Sequence, residues 1–269
     1  MFTTGLRAGD LAVTGIAGLR PIGPVTGAGV LRSDFIHGNG RMTGSPGRVY
    51  LYPESVAVVR TTRAEAVRQM AGNAAALGAD AVVGIQVSHK ERRWYNRNLP
   101  GGVVESVASG IAVAWPDRPP RGGAPVLTNL DVQGCWKLFQ SGYVPAGLVM
   151  STIMTGCIAR RLRTGPSVDA LGARQWPADQ YPDAAAMVTI GYRTMNEEIR
   201  EQGQAMGAEG IIGVEFQRRK WGYEFVTRNS GVMCRQFKMI GTVIGTAVVP
   251  DESAARQTGL RITPVRHAT

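Results

Sequence analysis

A ten-residue segment that recurs within the chain places the strongest constraint on the fold. Residues 76–85 read ALGADAVVGI, and residues 205–214, which lie 129 positions later, read AMGAEGIIGV. The same spacing relates Tyr52-Pro53-Glu54 to Tyr181-Pro182-Asp183. Because both blocks keep one register and one pattern of apolar residues, the sequence predicts an internal duplication, with two related modules in a chain of 269 residues.

The correspondence extends beyond the repeated block with small changes of spacing. Residues 109–113 (SGIAV) resemble residues 244–248 (IGTAV), and upstream we align Gly29-Val30-Leu31 with Gly147-Leu148-Val149. A stretch rich in proline and glycine between the modules has the composition of a linker. These observations divide the chain into a first module at residues 1–118, a linker at 119–125, a second module at 126–250 and a polar tail at 251–269.

Each module is expected to contain one long helix followed by two strands. Pro53 and Pro182 suit the first turn of a helix, where a missing N–H costs nothing, and apolar residues with helical spacing follow each of them. A run of β-branched residues comes after each helix, and a second apolar strand follows a polar hairpin. With a further strand upstream, the prediction is an α+β fold of two β-α-β-β modules, each with a long amphipathic helix packed on a small antiparallel sheet.

Six residues at equivalent positions form the structural motif of the repeat. One glycine in each module follows the helix, where a left-handed cap is favoured, and another lies inside the next strand, where it indicates a bulge. An acidic residue lies between the two glycines. A pair of such acids could serve general acid/base chemistry, but a turn cap or an ion pair explains them better. The six residues are Gly78, Asp80, Gly84, Gly207, Glu209 and Gly213.

The segment at residues 77–85 (LGADAVVGI), placed between a long amphipathic helix and the SGIAV strand, resembles the YbjQ-like family. Members of that family are similar to dodecin subunits in fold and assemble as pentameric rings, and many carry a heavy-metal-binding label. For this chain the resemblance implies a tandem duplication of the family's module. It also implies a ring of ten modules from five chains, or a two-tier assembly, held together through exposed strand edges.

Composition and charge restrict the classes of partner and compartment. Apolar residues make up 44% of the chain and charged residues 19%, which is a globular composition. The net charge of +10 favours acidic partners, such as an acidic protein or nucleic acid. Three isolated cysteines fit a reducing compartment, and the apolar stretch at residues 143–158 is too short for a membrane span. We therefore expect a cytoplasmic protein without a membrane segment.

Side chains that usually carry chemistry are scarce and separated. Cys135, Cys157, Cys234 and the three histidines show none of the close spacings of structural zinc sites, although a metal site formed across subunits stays open. The sequence contains neither a G-x-S-x-G elbow nor a P-loop. We therefore expect no enzyme activity, no catalytic residue, no resident metal and no cofactor.

One pair of segments combines positive charge with aromatic rings. Each module continues its buried strand into a basic hairpin, at residues 89–97 and 217–223. Such side chains suit a subunit interface, but they also suit phosphate contacts and base stacking, and a solvated hairpin is a third reading. The candidate ligand or subunit contacts are Lys90, Arg92, Arg93, Trp94, Arg97, Arg218, Arg219, Lys220, Trp221 and Tyr223.

The functional hypotheses follow from the duplication and from the lack of a catalytic set. The leading hypothesis is a non-enzymatic, homo-oligomeric scaffold that forms a ring or a larger closed assembly from tandem YbjQ-like modules. The alternative is a binding module that holds an anionic ligand or nucleic acid on the basic hairpins. A metal-binding protein, and an enzyme that uses Asp80 or Glu209 as acid or base, are the remaining hypotheses.

Overall fold

The computed structural model describes residues 18–33, 48–96, 99–115, 123–160, 182–226 and 233–251. These residues form two four-stranded sheets and three helices, so the chain is a mixed α+β protein, as predicted from the sequence. In chain order the elements are β1 (Arg20–Ser33), β2 (Val49–Leu51), α1 (Pro53–Ala76), β3 (Ala81–Asn96), β4 (Leu99–Ala114), β5 (Val126–Leu127), α2 (Val132–Gln140), β6 (Tyr143–Arg160), α3 (Pro182–Ala205), β7 (Gly210–Val226) and β8 (Met233–Pro250).

The three long strands have the same order in both sheets, and each sheet also contains one short strand from the other half of the chain. The first sheet has the order β1-β4-β3-β5 and the second has the order β2-β6-β8-β7. In each sheet a long central strand, β4 or β8, pairs with antiparallel strands on both sides. β2 joins the second sheet by pairing with β6, and β5 joins the first sheet by pairing in parallel with β3. Each half of the chain thus supplies a short strand to the sheet that the other half mainly forms.

Both long helices end in the same way, at a glycine with a left-handed backbone. Gly78 and Gly207 each have a φ of 70°. The N–H of Gly78 donates to the carbonyl of Ala75, and the N–H of Ala79 donates to that of Ala74, which is the pattern of a Schellman cap. These bonds satisfy carbonyl groups that a helix end leaves without partners, and α3 ends with equivalent bonds.

Helix α1 lies between the two sheets. On one side it packs so closely on β1 that a Cβ on Gly29 would lie 2.0 Å from the carbonyl oxygen of Thr62. On the other side Val59 forms a core cluster with Ile240 of β8. Helix α3 covers the opposite face of the second sheet, where Met195 packs with the alternate residues of β6 and β8. The order of layers is therefore α3, second sheet, α1, first sheet.

The strand registers correct the upstream alignment that was made from sequence. The pairing of β1 with β4 shifts between Pro21 and Gly23, and the pairing of β6 with β8 shifts between Pro145 and Gly147. These bulges align Gly23 with Gly147, whereas the sequence comparison had placed Gly29 there. The alignment was wrong because β1 contains glycines at 23, 27 and 29, which a local match of small residues does not distinguish.

Candidate functional site

The most unusual group in the described part of the chain is a fully buried guanidinium. Arg63 projects from α1 into the layer between the sheets and has 0% exposure. Its Nη1 donates to the hydroxyl of Thr152, at 2.6 Å, and to the hydroxyl of Thr242. Its Nη2 lies 2.7 Å from Nδ1 of His89, which accepts because a guanidinium can only donate. Arg63 therefore joins α1 to strands of both sheets.

The surroundings of Arg63 do not fully compensate for the burial of its charge. Burial lowers the pKa of Arg63 to about 10, so the group still carries its charge at neutral pH. Its buried Nε has no hydrogen-bond partner among the described residues. A cation that is held by hydroxyl groups and an imidazole loses more hydration than these contacts replace. The group therefore acts as a constraint on the position of α1 more than as a source of stability.

Sequence reasoning did not single out Arg63 or its partners. The residue stands four positions after Val59 and three before Ala66, and both of these are buried on α1. The helical period thus placed Arg63 on the buried face. That signal was present in the sequence, but an arginine on a helix is usually solvated, and the hydroxyl groups that receive it come from distant strands.

A second polar cluster joins the segment after the linker to the second sheet. The hydroxyl of Thr128 lies 2.8 Å from that of Thr246, which also donates to the side-chain oxygen of Asn129 at 2.6 Å. The amide of Asn129 donates to the carbonyl of Gly213 at 2.6 Å. Residues 126–130 also bond to the edge of β3 through backbone hydrogen bonds of 2.7–3.1 Å. This short segment therefore contacts the edge of the first sheet and a face of the second.

The two basic hairpins extend from the same end of the molecule. Ile240 of β8 clusters with Val104 of β4, and further along both strands Ile244 clusters with Ala108. β8 therefore runs in the same direction as β4, in the other sheet. Because β3 and β7 precede these strands as antiparallel neighbours, their basic ends lie on one side of the protein.

The predicted contact residues fall into three groups. Lys90 and Arg218 are exposed, and Nη1 of Arg218 donates to the hydroxyl of Tyr192 at 2.9 Å. The ring of Tyr192 meets that of Phe216 edge to face, with 5.2 Å between the centroids. A second group contributes backbone to β3 or β7 while its side chains lie outside the described residues, and Arg97 lies outside them entirely. That second group comprises Arg92, Arg93, Trp94, Arg219, Lys220, Trp221 and Tyr223.

The residues of the repeated motif have local structural partners. A carboxylate oxygen of Asp80 accepts from the N–H of Trp115 at 2.7 Å, and one of Glu209 accepts from the hydroxyl of Tyr143 at 3.4 Å. The two strand glycines, Gly84 and Gly213, have φ of 65° and 62° and stand where β3 and β7 shift register against their neighbours. Each carboxylate therefore supports its own sheet.

The metal donors in the described part of the chain do not fit a metal centre within one chain. These residues contain no group of three or more His, Cys, Asp or Glu side chains that could hold an ion. Cys135 on α2 and Cys157 on β6 are buried, and burial raises the pKa of both thiols to about 12. Both are therefore protonated at neutral pH, whereas a metal requires the thiolate.

Comparison with known proteins gives a match for part of the chain. Residues 19–115 match the model of the YbjQ-like family, whose description reads "Putative heavy-metal-binding". The matched part spans β1 to β4 with α1, about a third of the chain, and here it supports the resemblance to that family. A search of curated proteins found no match to the chain. No helix in the described ranges combines the length and apolar character that a membrane span requires.

Proposed function

We propose that the chain is a tandem pair of β-α-β-β modules that binds further copies of itself head to tail and serves as a non-enzymatic, cytoplasmic scaffold. The contact between the two halves of the chain carries this proposal. In that contact α1 covers one face of the second sheet, and β2 covers the edge of that sheet at β6. The equivalent face and edge of the first sheet, on β4 and β1, have neither covering in the described structure.

Several shared features support the equivalence of the two halves. Helices α1 and α3 each have 24 residues and begin at Pro53 and Pro182, which keeps the spacing of the sequence repeat. Both sheets place the strand after the helix beside a central last strand, and both carry bulges at matching positions. Duplication explains this agreement better than two unrelated folds would.

Beyond the end that α2 covers, this face of the first sheet carries apolar residues at positions that are buried in the second. Thr242 and Ile244 of β8 face α1 and are 5% and 4% exposed. The position on β4 that corresponds to Thr242 is Val107, which is 45% exposed, and on the same face of β1 Val30 is 64% exposed. Exposed apolar residues on a continuous sheet face indicate a surface for a partner.

The complementary surface lies on β7 beside α3. In the first sheet Ile85 and Val87 are only 3% and 4% exposed, because they pack in the cluster that contains Ile244. The corresponding residues of the second sheet, Val214 and Phe216, are 39% and 44% exposed. Within one chain, the surface around Ile85 and Val87 packs against the second sheet. The corresponding surface around Val214 and Phe216 is exposed, and in this proposal it binds the first sheet of another chain.

Because the two proposed surfaces differ from each other, the same contact can repeat from one chain to the next. Such a heterologous interface closes into a ring when the rotation between copies divides a full turn, and otherwise it builds a filament. Within the proposal we favour the closed form, a ring of five chains and ten modules, because of the resemblance to ring-forming YbjQ-like proteins.

The assembly predicts a specific result for two single substitutions. Val107→Glu and Phe216→Glu each place a charge on one of the two surfaces, and each should convert the oligomer into single folded chains, as measured by native mass spectrometry. An equimolar mixture of the two variants should form dimers, because one intact surface remains on each chain. Dimers but no larger species are expected, since the remaining surfaces both carry a charge.

Leu77→Glu is the matched control for these variants. Leu77 is 51% exposed at the end of α1, away from both surfaces, so its substitution should leave the assembly mass unchanged. A wild-type chain that is monomeric at micromolar concentration would refute the scaffold. Unchanged oligomers in both glutamate variants would refute the assignment of the surfaces.

A second function is supported by the position of the hairpins. Because both basic hairpins lie at one end, a ring would gather them into a girdle that suits an anionic ligand or nucleic acid. We expect a single-stranded oligonucleotide to bind with an affinity that falls steeply between about 50 and 200 mM salt, since binding releases counterions. Replacing Arg92, Arg93, Arg218 and Arg219 by alanine should abolish this binding without changing the assembly mass. Affinity that is independent of salt, or binding that survives in the variant, would contradict this role.

A further inference from the structure

The contact between the two halves of the chain shows which side chains a long helix presents to a sheet. Arg63 of α1 is joined to His89 of β3 through Nη2 and Nδ1, at 2.7 Å. Its Nη1 donates to the hydroxyls of Thr152 and Thr242, which lie opposite each other on β6 and β8. The contact within the chain is therefore polar, and two threonine hydroxyls accept from the cation.

The second half of the chain places a different pair at the positions of Arg63 and His89. The repeat spacing of 129 residues carries Arg63 to Tyr192 of α3 and His89 to Arg218 of β7. These side chains are also joined, because Nη1 of Arg218 donates to the hydroxyl of Tyr192 at 2.9 Å. The link from helix to strand is thus kept, while the side chain on the helix changes from a cation to an aromatic ring.

The sheet residues change in the matching sense. The strand registers set Ala28 opposite Val107 in the first sheet, as they set Thr152 opposite Thr242 in the second. The bulges of β1 and β6 lie 124 residues apart, and the repeated ends of β4 and β8 lie 135 apart, so these two pairs are equivalent. Ala28 and Val107 are both exposed. The first sheet therefore presents two apolar side chains where the second presents two hydroxyls.

A second exchange, of side-chain volume, accompanies the first. Val87 of β3 packs in the cluster that contains Ile244 of β8. The counterpart of Val87 on β7 is Phe216, which is 44% exposed, and the position of Ile244 is taken in the first sheet by Ser109. The strand of the second half is larger where the first sheet is smaller, so the two surfaces suit each other in volume as well as in polarity.

We infer that Tyr192 of one chain, held by Arg218, packs on Ala28 and Val107 of the next chain, and that this apolar pairing distinguishes the contact between chains from the polar contact within each chain. The inference rests on the head-to-tail assembly proposed above and names the residues that give it specificity. Arg63 in the place of Tyr192 would bury a guanidinium against two side chains that accept no hydrogen bond. Such a mismatch selects against the wrong pairing of helix and sheet.

Transfer of the polar set to the contact between chains tests this pairing. The helix-side variant carries Tyr192→Arg and Arg218→His, and the sheet-side variant carries Ala28→Thr and Val107→Thr. A combined variant carries all four substitutions and so reproduces the contact that Arg63 makes within the chain. Native mass spectrometry over a dilution series gives the concentration at which half of the chains are assembled. The four positions are exposed or half-buried, so each variant should keep the far-UV circular dichroism of the wild type.

The helix-side variant should raise the half-assembly concentration at least about tenfold, because its new cation is buried against alanine and valine. The combined variant should return to within about threefold of the wild type, since threonine hydroxyls then accept from that cation. The sheet-side variant completes the double-mutant cycle and gives the coupling between the two surfaces.

Gln204→Arg is the matched control, because it adds the same cation to α3 outside the contact. Gln204 is exposed, and its counterpart in α1, Ala75, stays exposed where α1 packs within the chain. The half-assembly concentration of this variant should therefore equal that of the wild type.

The outcomes separate the pairing from the assembly itself. Rescue in the combined variant is the expected result. A combined variant that assembles no better than the helix-side variant would overturn the pairing, as would a helix-side variant that assembles like the wild type. In both cases the loss of oligomers in Val107→Glu would leave the head-to-tail scaffold standing. A wild-type chain that is monomeric at micromolar concentration would overturn both.

Discussion

Gly29→Ala and Gly27→Ala should each lower the free energy of unfolding more than a methyl group added at any other position of β1. A Cβ at position 29 would lie 2.0 Å from the carbonyl oxygen of Thr62, and one at position 27 would lie 2.1 Å from that of Ala66. Both oxygens belong to the backbone of α1, so only a shift of the whole helix relieves the contact. We expect a loss of about 3 kcal/mol or more, seen as a fall of about 10 °C in the midpoint of thermal unfolding.

Two other glycines provide controls of graded severity. A Cβ on Gly23, in the same strand, would meet nothing within 4 Å, so Gly23→Ala should change stability by less than about 0.5 kcal/mol. A Cβ on Gly241 would lie 2.8 Å from the terminal methyl of Met195, which can rotate away, so Gly241→Ala should cost about 1 kcal/mol. If Gly23→Ala and Gly29→Ala unfold at the same temperature, the close approach of α1 to β1 is wrong.

Replacement of Arg63 should have opposite effects according to the volume of the new side chain. Arg63→Ala leaves a cavity and removes the donor from the hydroxyls of Thr152 and Thr242, and we expect a loss of about 2–4 kcal/mol. Arg63→Met fills most of the space and removes a buried cation, so it should stay within about 1 kcal/mol of the wild type or exceed it. Denaturant unfolding of both variants at pH 7 measures the difference.

The pH dependence of that difference has a definite sign. Because burial lowers the pKa of Arg63 to about 10, well below its value in the unfolded chain, the folded state releases this proton first as pH rises. The cost of the buried charge is therefore present in full well below pH 10 and declines as the pH rises through 10. The stability of the wild type relative to Arg63→Met should rise on going from pH 9 to pH 11. A constant difference would show that Arg63 titrates alike in both states.

The local signals in the sequence were sufficient for the two long helices and for the strands that follow them, but they did not indicate α2, β2 or β5. Pro53 and Pro182 predicted the starts of the two long helices, and the structure begins α1 and α3 there. Gly78 and Gly207 follow the helices with the left-handed backbone that a cap requires. These features depend on the chemistry of a few neighbouring residues, which is why a linear reading recovers them.

The candidate site was less accessible to the same reasoning. The basic hairpins are visible as runs of charge, but their common direction depends on β4 and β8 running the same way in the two sheets, which no short segment encodes. The network around Arg63 joins residues that are 26, 89 and 179 positions apart. Each partner alone is an ordinary polar residue, so only their convergence distinguishes them.

The sequence by itself determined the class of the fold, the repeated segment, and the starts and caps of the two long helices. Periodicity and glycine chemistry express those properties within a few residues. Only the tertiary structure decided that β2 and β5 exchange between the sheets, that α1 lies between both, and that no described strand pairs with the outer edges of β1 and β7. Apolar periodicity shows that a face is buried but not which sheet buries it. Strand edges pair through backbone groups that every residue shares, so their partners leave no local mark in the sequence.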